Sequence, residues 1–488
     1  MATVASLPSN KRQKTILPPP CFYNDLHSSY RVEWEARKRK FPPSIAVSSL
    51  CFVEPSSSSS SSDDSDGKKG SSFLLVGMTK GSLTVFQHFG QQSESEEEVL
   101  QQQVARGEAN DQDDESSSDI TEPSGWKLVV SHELCKGALT FLHVSKLSEK
   151  QSVVLAGGMD GLWCWNSVSD LLTVDRRTVE ETKTMKPANR LSKTPKNQST
   201  YHHESISIEK AQASDSDVYI STPHRKLYQI GISSLIASSA NGTTVEKKEL
   251  PLPDRDDGQD KSDIVPLQEL SQTVGHVGDF EITALHVTGT SLLVGTNQSK
   301  VHCWDIEKQA YSEPLDLSSF NNSKLEEETA VRVTAISSIQ SDWWTIAGSI
   351  ISDETWTGSF RKKKAGYKRP VSFLGTWHGP SKSRAQLVSN ILESIQGLLV
   401  AASGQLYSIG NVPTLTVFES PYQLERPRRI GTNAKSNKAI CCGLMNGGLA
   451  VAGVGSKVDL VQSSVRLQSL DLLQAFASDP QGAGARKN

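Results

Sequence analysis

The sequence predicts an all-β fold built from a repeated unit, and two observations support this prediction. Apolar runs of four to six residues, rich in β-branched and aromatic side chains, alternate with polar turns along much of the chain. Residues 291–309 show the unit most clearly, with a strand ending at Gly295, a polar turn, and an alternating strand ending in Trp304–Asp305. Units of this kind are typical of a β-propeller, in which each blade is a small antiparallel sheet.

The unit recurs seven times along the chain. The copies lie at 73–87, 152–166, 216–230, 291–305, 342–349 with 371–378, 397–410 and 448–462. Most copies end their first strand on a small residue, namely Gly77, Gly157, Gly295, Gly348, Ala402 or Gly453. Most carry a bulky ring near the end of the second, and we predict that these rings pack between blades: Phe86, Trp165, Trp304, Trp377 and Tyr407. The sequence therefore predicts a single seven-bladed WD-type β-propeller.

We predict that the propeller spans residues 44–476, with its first strand near Ser48 and its last near Leu470. Residues 1–43 form a largely flexible N-terminal segment with basic clusters, and residues 477–488 a disordered tail. Segments near 54–71, 88–124, 175–215 and 238–272 lack apolar periodicity, so we expect disordered loops there. We also expect residues 30–35 or 44–52 to complete the last blade, since an unpaired edge favours aggregation.

The composition argues against an enzyme, a metal site and a membrane protein. The chain has 51 basic and 55 acidic residues, and its seven cysteines form no CxxC pair, as expected for reduced thiols in an intracellular protein. The N-terminus lacks a signal peptide, and no apolar run approaches the ~20 residues of a membrane span. No catalytic or phosphate-binding motif is present, and His202–His203 fall in a polar stretch that we interpret as a solvated loop. We expect no catalytic residue, metal or cofactor.

Three basic clusters are candidates for recognition. Two lie near the N-terminus, and we interpret them as nuclear-import signals rather than ordinary solvated segments: Lys11, Arg12, Lys14, Arg37, Lys38, Arg39 and Lys40. The third interrupts the fifth unit and comprises Arg361, Lys362, Lys363, Lys364, Lys368 and Arg369. This loop either contacts RNA phosphates or docks on an acidic surface of a partner protein. We favour docking, because Tyr367 is the only aromatic residue among these charges and offers no platform for base stacking.

Several segments together resemble one known family. They are "CFYNDLHSSYRVEWEA", "LLVGMTKGSLTVFQ", "SDWWTIAGS", "GTWHGPSKSRAQLVSNILESIQGLLVAASGQLYSIG" and "LAVAGVGSKVDLVQ". In order and spacing these segments resemble the THO complex subunit 6 family of divergent WD-repeat propellers. The most family-like details are the Asp–Trp before a strand that ends in glycine and the Thr-Trp-His of the next strand. The resemblance implies a non-catalytic nuclear scaffold that binds other THO/TREX subunits in mRNP assembly and mRNA export.

Other propeller scaffolds remain as alternatives. A substrate receptor of a cullin–DDB ubiquitin ligase usually carries Trp-Asp-x-Arg at a blade end, whereas this chain has Trp304-Asp305-Ile306-Glu307. The acid in place of the arginine counts against this class. A ribosome-assembly or trafficking scaffold shares the fold, and fold alone does not fix function.

Overall fold

The computed structural model describes twelve stretches of the chain. These are residues 46–54, 72–88, 126–148, 152–172, 201–241, 244–253, 280–318, 330–351, 371–391, 393–444, 448–462 and 465–472. The predicted N-terminal segment and tail lie outside the described residues, as do the basic clusters at 10–14, 37–40 and 361–369. No helix in the described stretches is long and apolar enough to cross a membrane.

The described strands form seven antiparallel sheets, which are the blades. Blade 1 contains β1 (Val47–Val53), β2 (Ser72–Met78), β3 (Ser82–His88) and β4 (Trp126–Glu133). Blade 2 contains β5 (Leu139–Lys146), β6 (Ser152–Gly158), β7 (Gly161–Trp165) and β8 (Tyr201–Glu204). Blade 3 contains β9 (Lys210–Ala213), β10 (Asp217–Ser221), β11 (Leu227–Gly231) and β12 (Lys248–Leu250). Blade 4 contains β13 (Ile282–Thr288), β14 (Ser291–Thr296), β15 (Lys300–Asp305), β16 (Ala310–Tyr311) and β17 (Leu315–Asp316).

Blades 5 to 7 follow the same order. Blade 5 contains β18 (Ala330–Gln340), β19 (Trp343–Ile351), β20 (Val371–His378) and β21 (Ser383–Ile391). Blade 6 contains β22 (Ile395–Val400), β23 (Leu406–Gly410), β24 (Thr414–Phe418) and β25 (Arg428–Gly431). Blade 7 contains β26 (Asn437–Leu444), β27 (Gly448–Gly453), β28 (Lys457–Gln462) and β29 (Val465–Asp471). Two short helices lie beside blades 2 and 3, α1 (Val168–Leu172) and α2 (Ile232–Asn241).

The blades form a closed ring around their first strands. Each first strand contacts the first strand of the next blade, and β1 contacts β26 in the same way. Ala46 also bridges to Val454, and its carbonyl oxygen accepts a hydrogen bond from the Thr79 N–H at 2.9 Å. The predicted seven-bladed propeller is confirmed.

The expected exchange of a strand between the two ends of the chain is wrong. All four strands of blade 7 come from consecutive residues, because β29 pairs with β28 and completes the sheet. Residues 47–53 instead form the inner strand of blade 1, and residues 30–35 lie outside the described residues. Packing of blade 7 on blade 1 therefore closes the ring.

Two of the expected disordered loops contain ordered elements. Tyr201–Glu204 is the outer strand of blade 2, Lys210–Ala213 is the inner strand of blade 3, and Ile208 between them is fully buried. Likewise the last turn of α2 and the strand Lys248–Leu250 lie within the expected 238–272 loop. These short, mostly polar strands lie at the edges of their sheets and are stabilised by pairing with the neighbouring strand. Their own sequences therefore lack the apolar pattern that predicts a strand.

In blade 6 the predicted unit covers a different pair of strands from the units of the other blades. Residues 397–410 cover its first and second strands, whereas the other six units cover second and third strands. Ala402 therefore lies in a turn, and Gly410 ends the second strand. Tyr407 belongs to the second strand of its blade.

The inner strands share a backbone irregularity. In six described blades the pairing of the first strand with the second skips one residue, which is a β-bulge. The second strand carries glycine opposite each bulge, at Gly77, Gly157 with Gly158, Gly295, Gly348, Gly410 and Gly453. Blade 3 has no glycine in β10, and its described pairing with β9 has no skipped residue.

Three of these glycines are required by a close backbone approach. A Cβ on Gly158, Gly410 or Gly453 would overlap the carbonyl oxygen of Ala138, Ser394 or Ser436, respectively. Each of these carbonyl groups lies two residues before the bulged residue of its blade. The bulge thus pushes the inner strand against the second strand at a point that only glycine accommodates.

Seven apolar clusters hold the ring together, one between each pair of neighbouring blades. The five rings predicted to pack between blades are at most 3% exposed, and each lies in such a cluster. Phe86 lies between blades 7 and 1, Trp165 between blades 1 and 2, Trp304 between blades 3 and 4, Trp377 between blades 4 and 5, and Tyr407 between blades 6 and 7.

We expect Trp304→Ala to lower the free energy of unfolding by about 3–5 kcal/mol, because the ring is 3% exposed and packs edge-on against Tyr311 at 4.8 Å. Scanning calorimetry would measure the accompanying fall in melting temperature. Trp126→Ala is the control, since that ring is only partly buried on an outer strand. Equal losses in the two variants, or none in either, would contradict a blade-filling role for Trp304.

Candidate interaction surfaces and the central channel

Polar side chains project from the bulges of the inner strands. The bulged residues of the six blades are all polar, and they are Ser48, Thr140, Thr283, Thr334, Gln396 and Lys438. Four of them line an open cavity of ≈ 310 Å³ between the inner strands of blades 1, 2, 3, 6 and 7. This cavity lies in the central channel, so the channel is polar at this level although each blade core is apolar.

Side chains of neighbouring blades are linked across the cavity wall. Lys438 Nζ donates to Gln396 Oε1 at 3.0 Å, which joins blades 7 and 6. Ser48 Oγ donates to the Leu139 carbonyl at 2.7 Å, which joins blades 1 and 2. These hydrogen bonds fix the bulged side chains of adjacent blades relative to one another.

Charged side chains also lie on the other side of the ring of blades, near the first residues of the inner strands of blades 3 to 5. The Arg332 guanidinium donates to both carboxylate oxygens of Glu281, at 2.8 and 2.7 Å, and this two-point pairing is geometrically specific. Partial burial, with Glu281 as a second cause, raises the pKa of Glu209. The ends of these strands therefore bring two carboxylates close enough to repel each other, with one arginine between blades 4 and 5.

The histidines do not assemble a metal site. In the described part of the chain, no three His, Cys, Asp or Glu side chains are placed to hold a metal ion together. Burial lowers the pKa of His286 to about 4, so its ring is neutral, and its Nε2 lies 2.8 Å from Ser338 Oγ. His202 and His203, expected in a solvated loop, lie instead in β8, where neighbouring side chains point to opposite faces.

An aromatic cluster lies at the end of blades 5 and 6 opposite the start of the inner strands. Trp343 begins β19 and His378 ends β20, and their rings lie 5.0 Å apart. Tyr422, in the loop after β24, packs edge-on against Trp343 at 5.1 Å and is 39% exposed. The Thr376 hydroxyl donates to the Pro421 carbonyl at 2.6 Å and holds that loop against blade 5.

The sequence interpretation found two members of this cluster but not the third. Trp343 and His378 belong to segments noted for a family resemblance, whereas Tyr422 lies in a loop without a pattern of its own. Lys438 was also missed, and its one signal is a charged residue directly before an apolar run (439–442). Tyr422 and Lys438 both make their contacts with a neighbouring blade, and the sequence of one repeated unit does not predict such contacts.

The predicted recognition clusters cannot be placed directly. The basic loop 361–369 lies outside the described residues, between Ile351 at the end of β19 and Val371 at the start of β20. Those two strand ends lie where the inner strand of blade 5 begins. The two described strand ends that flank residues 352–370 therefore lie at the end of blade 5 opposite the aromatic cluster.

The Trp304-Asp305-Ile306-Glu307 turn is described in full. Asp305 accepts hydrogen bonds from the backbone N–H of Glu307 and Lys308 and from Lys308 Nζ, at 3.1, 2.8 and 2.7 Å. The Lys308 side chain is the leading cause that lowers the pKa of Asp305. Glu307 is exposed, so this turn presents an acid where a ligase receptor would present arginine.

Comparisons with known proteins bear on the fold. No family model matches the chain, and no curated protein matches it. The solved structures to which it is similar include the computationally designed Ika8 protein, at 12% identity and a TM-score of 0.40, over 86% of this chain and 96% of that one. The Cps50 (Swd1) β-propeller domain of Myceliophteria thermophila aligns at 10% identity and 0.43, over 80% and 92% of the two chains.

The WD40 β-propeller domain of Doa1 aligns at 9% identity and a TM-score of 0.41, over 80% of this chain and 89% of that one. At these identities the similarity is one of fold, and it assigns no partner or activity to this chain. The strand pairing and the contacts between inner strands in this chain show the seven-bladed fold directly. The chain folds as a seven-bladed β-propeller.

Proposed function

We propose that this protein is a non-catalytic nuclear scaffold that acts as a THO-type subunit in mRNP assembly and mRNA export. It would do so by binding other protein subunits through the faces of the propeller. Two observations support this proposal. They are the residues that carry the family resemblance and the positions of those residues in the fold.

The resembling segments that fall on described residues occupy blades 1, 5, 6 and 7. These blades are neighbours in space, because blade 7 packs on blade 1. They form one continuous arc of the ring rather than scattered pieces. A continuous arc is the arrangement expected if a single partner surface restrains their sequence.

The aromatic cluster is the observation that carries the proposal. The two most family-like details each supply one of its rings, Trp343 from the Asp–Trp and His378 from the Thr-Trp-His. Their pairing places an exposed tyrosine, Tyr422, on the surface of the arc. Exposed aromatic rings held rigidly by their neighbours are typical anchors of protein–protein interfaces.

The basic loop 361–369 would add an electrostatic contact at the other end of blade 5. Six positive charges in one loop are suited to an acidic surface of a partner subunit. In this assignment RNA lies near the protein through its partners rather than by direct contact.

Tyr422→Ala is expected to reduce the recovery of THO subunits with the affinity-tagged full-length protein about tenfold, which corresponds to roughly 1.4 kcal/mol. Truncation removes an anchoring ring while leaving Trp343 in place. The readout is quantitative mass spectrometry of the purified complexes. Tyr201→Ala is the matched control, because Tyr201 is also 39% exposed and also packs on a tryptophan, Trp165, but lies on blade 2.

Two outcomes separate the parts of this proposal. Recovery of a ubiquitin-ligase adaptor or of pre-ribosomal factors, with no THO subunit, would overturn the assignment to a THO-type complex. Recovery of THO subunits by both tyrosine variants at the wild-type level would keep that assignment and remove the aromatic cluster as the contact surface.

Nuclear accumulation is expected to depend on the two N-terminal basic clusters, since import receptors recognise short runs of Lys and Arg. The test variant replaces Lys11, Arg12, Lys14, Arg37, Lys38, Arg39 and Lys40 with alanine. Imaging of a fluorescently tagged protein should show a shift to the cytoplasm. The experiment uses cells depleted of the partner subunits, and an unchanged distribution there would contradict the import assignment.

A further inference from the structure

The central cavity carries an unbalanced charge. Among the described residues that line it, Lys438 is the only Lys, Arg, Asp or Glu. His143 also lines it, and burial lowers the pKa of that ring, so it adds no charge near neutral pH. The lining is otherwise polar or apolar but neutral, with hydroxyl and amide groups from Ser48, Thr140, Gln212 and Gln396.

Lys438 is held in place with donor capacity to spare. Its ammonium group has three hydrogens, and one is directed at Gln396 Oε1 at 3.0 Å. The side chain is exposed within the channel although its neighbours Asn437 and Ala439 are buried. The bulge produces this arrangement, since it turns the lysine out of the ladder and into the cavity.

The charge and size of the cavity select the ligand. A volume of ≈ 310 Å³ is at the lower end of the range for small-ligand sites and admits one side chain or a small acid. One ammonium group balances one carboxylate, and a hydrogen bond between two charged groups is stronger than one between neutral groups. The nearby amide and hydroxyl groups can contact the second carboxylate oxygen.

Polyanions are disfavoured at the same site. Glu209 comes directly before β9, whose residues Ala211 and Gln212 line the cavity, and Glu281 occupies the equivalent place before β13. These carboxylates lie on the side of the ring opposite Lys438. Arg332 offsets the charge of Glu281, so Glu209 is the carboxylate that would repel a phosphate chain. A single carboxylate on an otherwise neutral group meets the lysine without extending to them.

We propose that the central channel binds a single carboxylate group at Lys438, with Gln396 as the residue that orients the ammonium group. The carboxylate belongs either to an acidic residue of a polypeptide that enters the channel or to a small organic acid. This assignment does not depend on which complex the protein joins.

Lysine footprinting of the full-length protein tests the proposal residue by residue. The protein is acetylated with a limiting amine reagent, and mass spectrometry reads the rate at each lysine. N-acetylglutamate amide represents the polypeptide source and propionate the small-acid source, whereas N-acetylglutamine amide is the uncharged control. At constant ionic strength we expect at least one acid to slow the modification of Lys438 about fivefold or more, while the uncharged control has no effect.

Lys435 is the internal reference, because it is exposed three residues away and does not line the cavity. Its rate should be unchanged by either acid. Protection by N-acetylglutamate amide at the lower concentration assigns the site to a polypeptide, and protection by propionate at the lower concentration assigns it to a small acid. Both results support a carboxylate site.

Gln396→Glu provides an independent check that keeps the lysine. The new carboxylate would satisfy the ammonium group from within the wall, so added acids should no longer protect Lys438. An unchanged melting temperature would show that this variant is folded. The proposal is overturned if no acid protects Lys438 in the wild-type protein, if Lys435 is protected equally, or if protection persists in folded Gln396→Glu.

Discussion

The structure depends on one backbone constraint, the close approach of each bulged inner strand to the strand beside it. At Gly158, Gly410 and Gly453 a neighbouring carbonyl group occupies the space of a Cβ, so glycine is the residue that permits the bulge. In six of the seven described blades, the bulge in turn removes one polar residue from the sheet ladder. A polar channel can therefore exist inside a ring whose interfaces are apolar, and both follow from the same local geometry.

Much of the fold could be predicted because the units repeat. Strands buried on both faces give short apolar runs, and the glycines that face the bulges recur at the ends of those runs, so the number of blades is visible in the sequence. The outer strands could not be predicted in the same way. Tyr201–Glu204 and Lys248–Leu250 are short and mostly polar, and their pairing partners, not their own residues, make them strands. Closure was mistaken because Val465–Asp471 completes blade 7 from its own segment.

The surfaces were less predictable than the fold, since each is assembled from more than one blade. Trp343 and His378 are paired across neighbouring strands of blade 5, whereas Tyr422, 79 residues after Trp343, reaches them only because blades 5 and 6 pack together. Lys438 and Gln396 are 42 residues apart and meet across the wall between blades 6 and 7. A pattern search within one unit does not detect such pairs. It does detect the rings that fill the space between blades, because their bulk recurs with the repeat.

The bulge-and-glycine constraint is tested most directly by the melting temperatures of two alanine variants. A Cβ on Gly453 would overlap the Ser436 carbonyl oxygen. A Cβ on Gly231, which ends β11 in blade 3, would meet only Ser233 and Ser234, at ordinary contact distances of 3.8 and 3.9 Å. Gly453→Ala should cost about 1–3 kcal/mol of stability through overpacking and lower the melting temperature accordingly. Gly231→Ala should leave the melting temperature nearly unchanged. Equal melting temperatures for both variants would contradict the constraint.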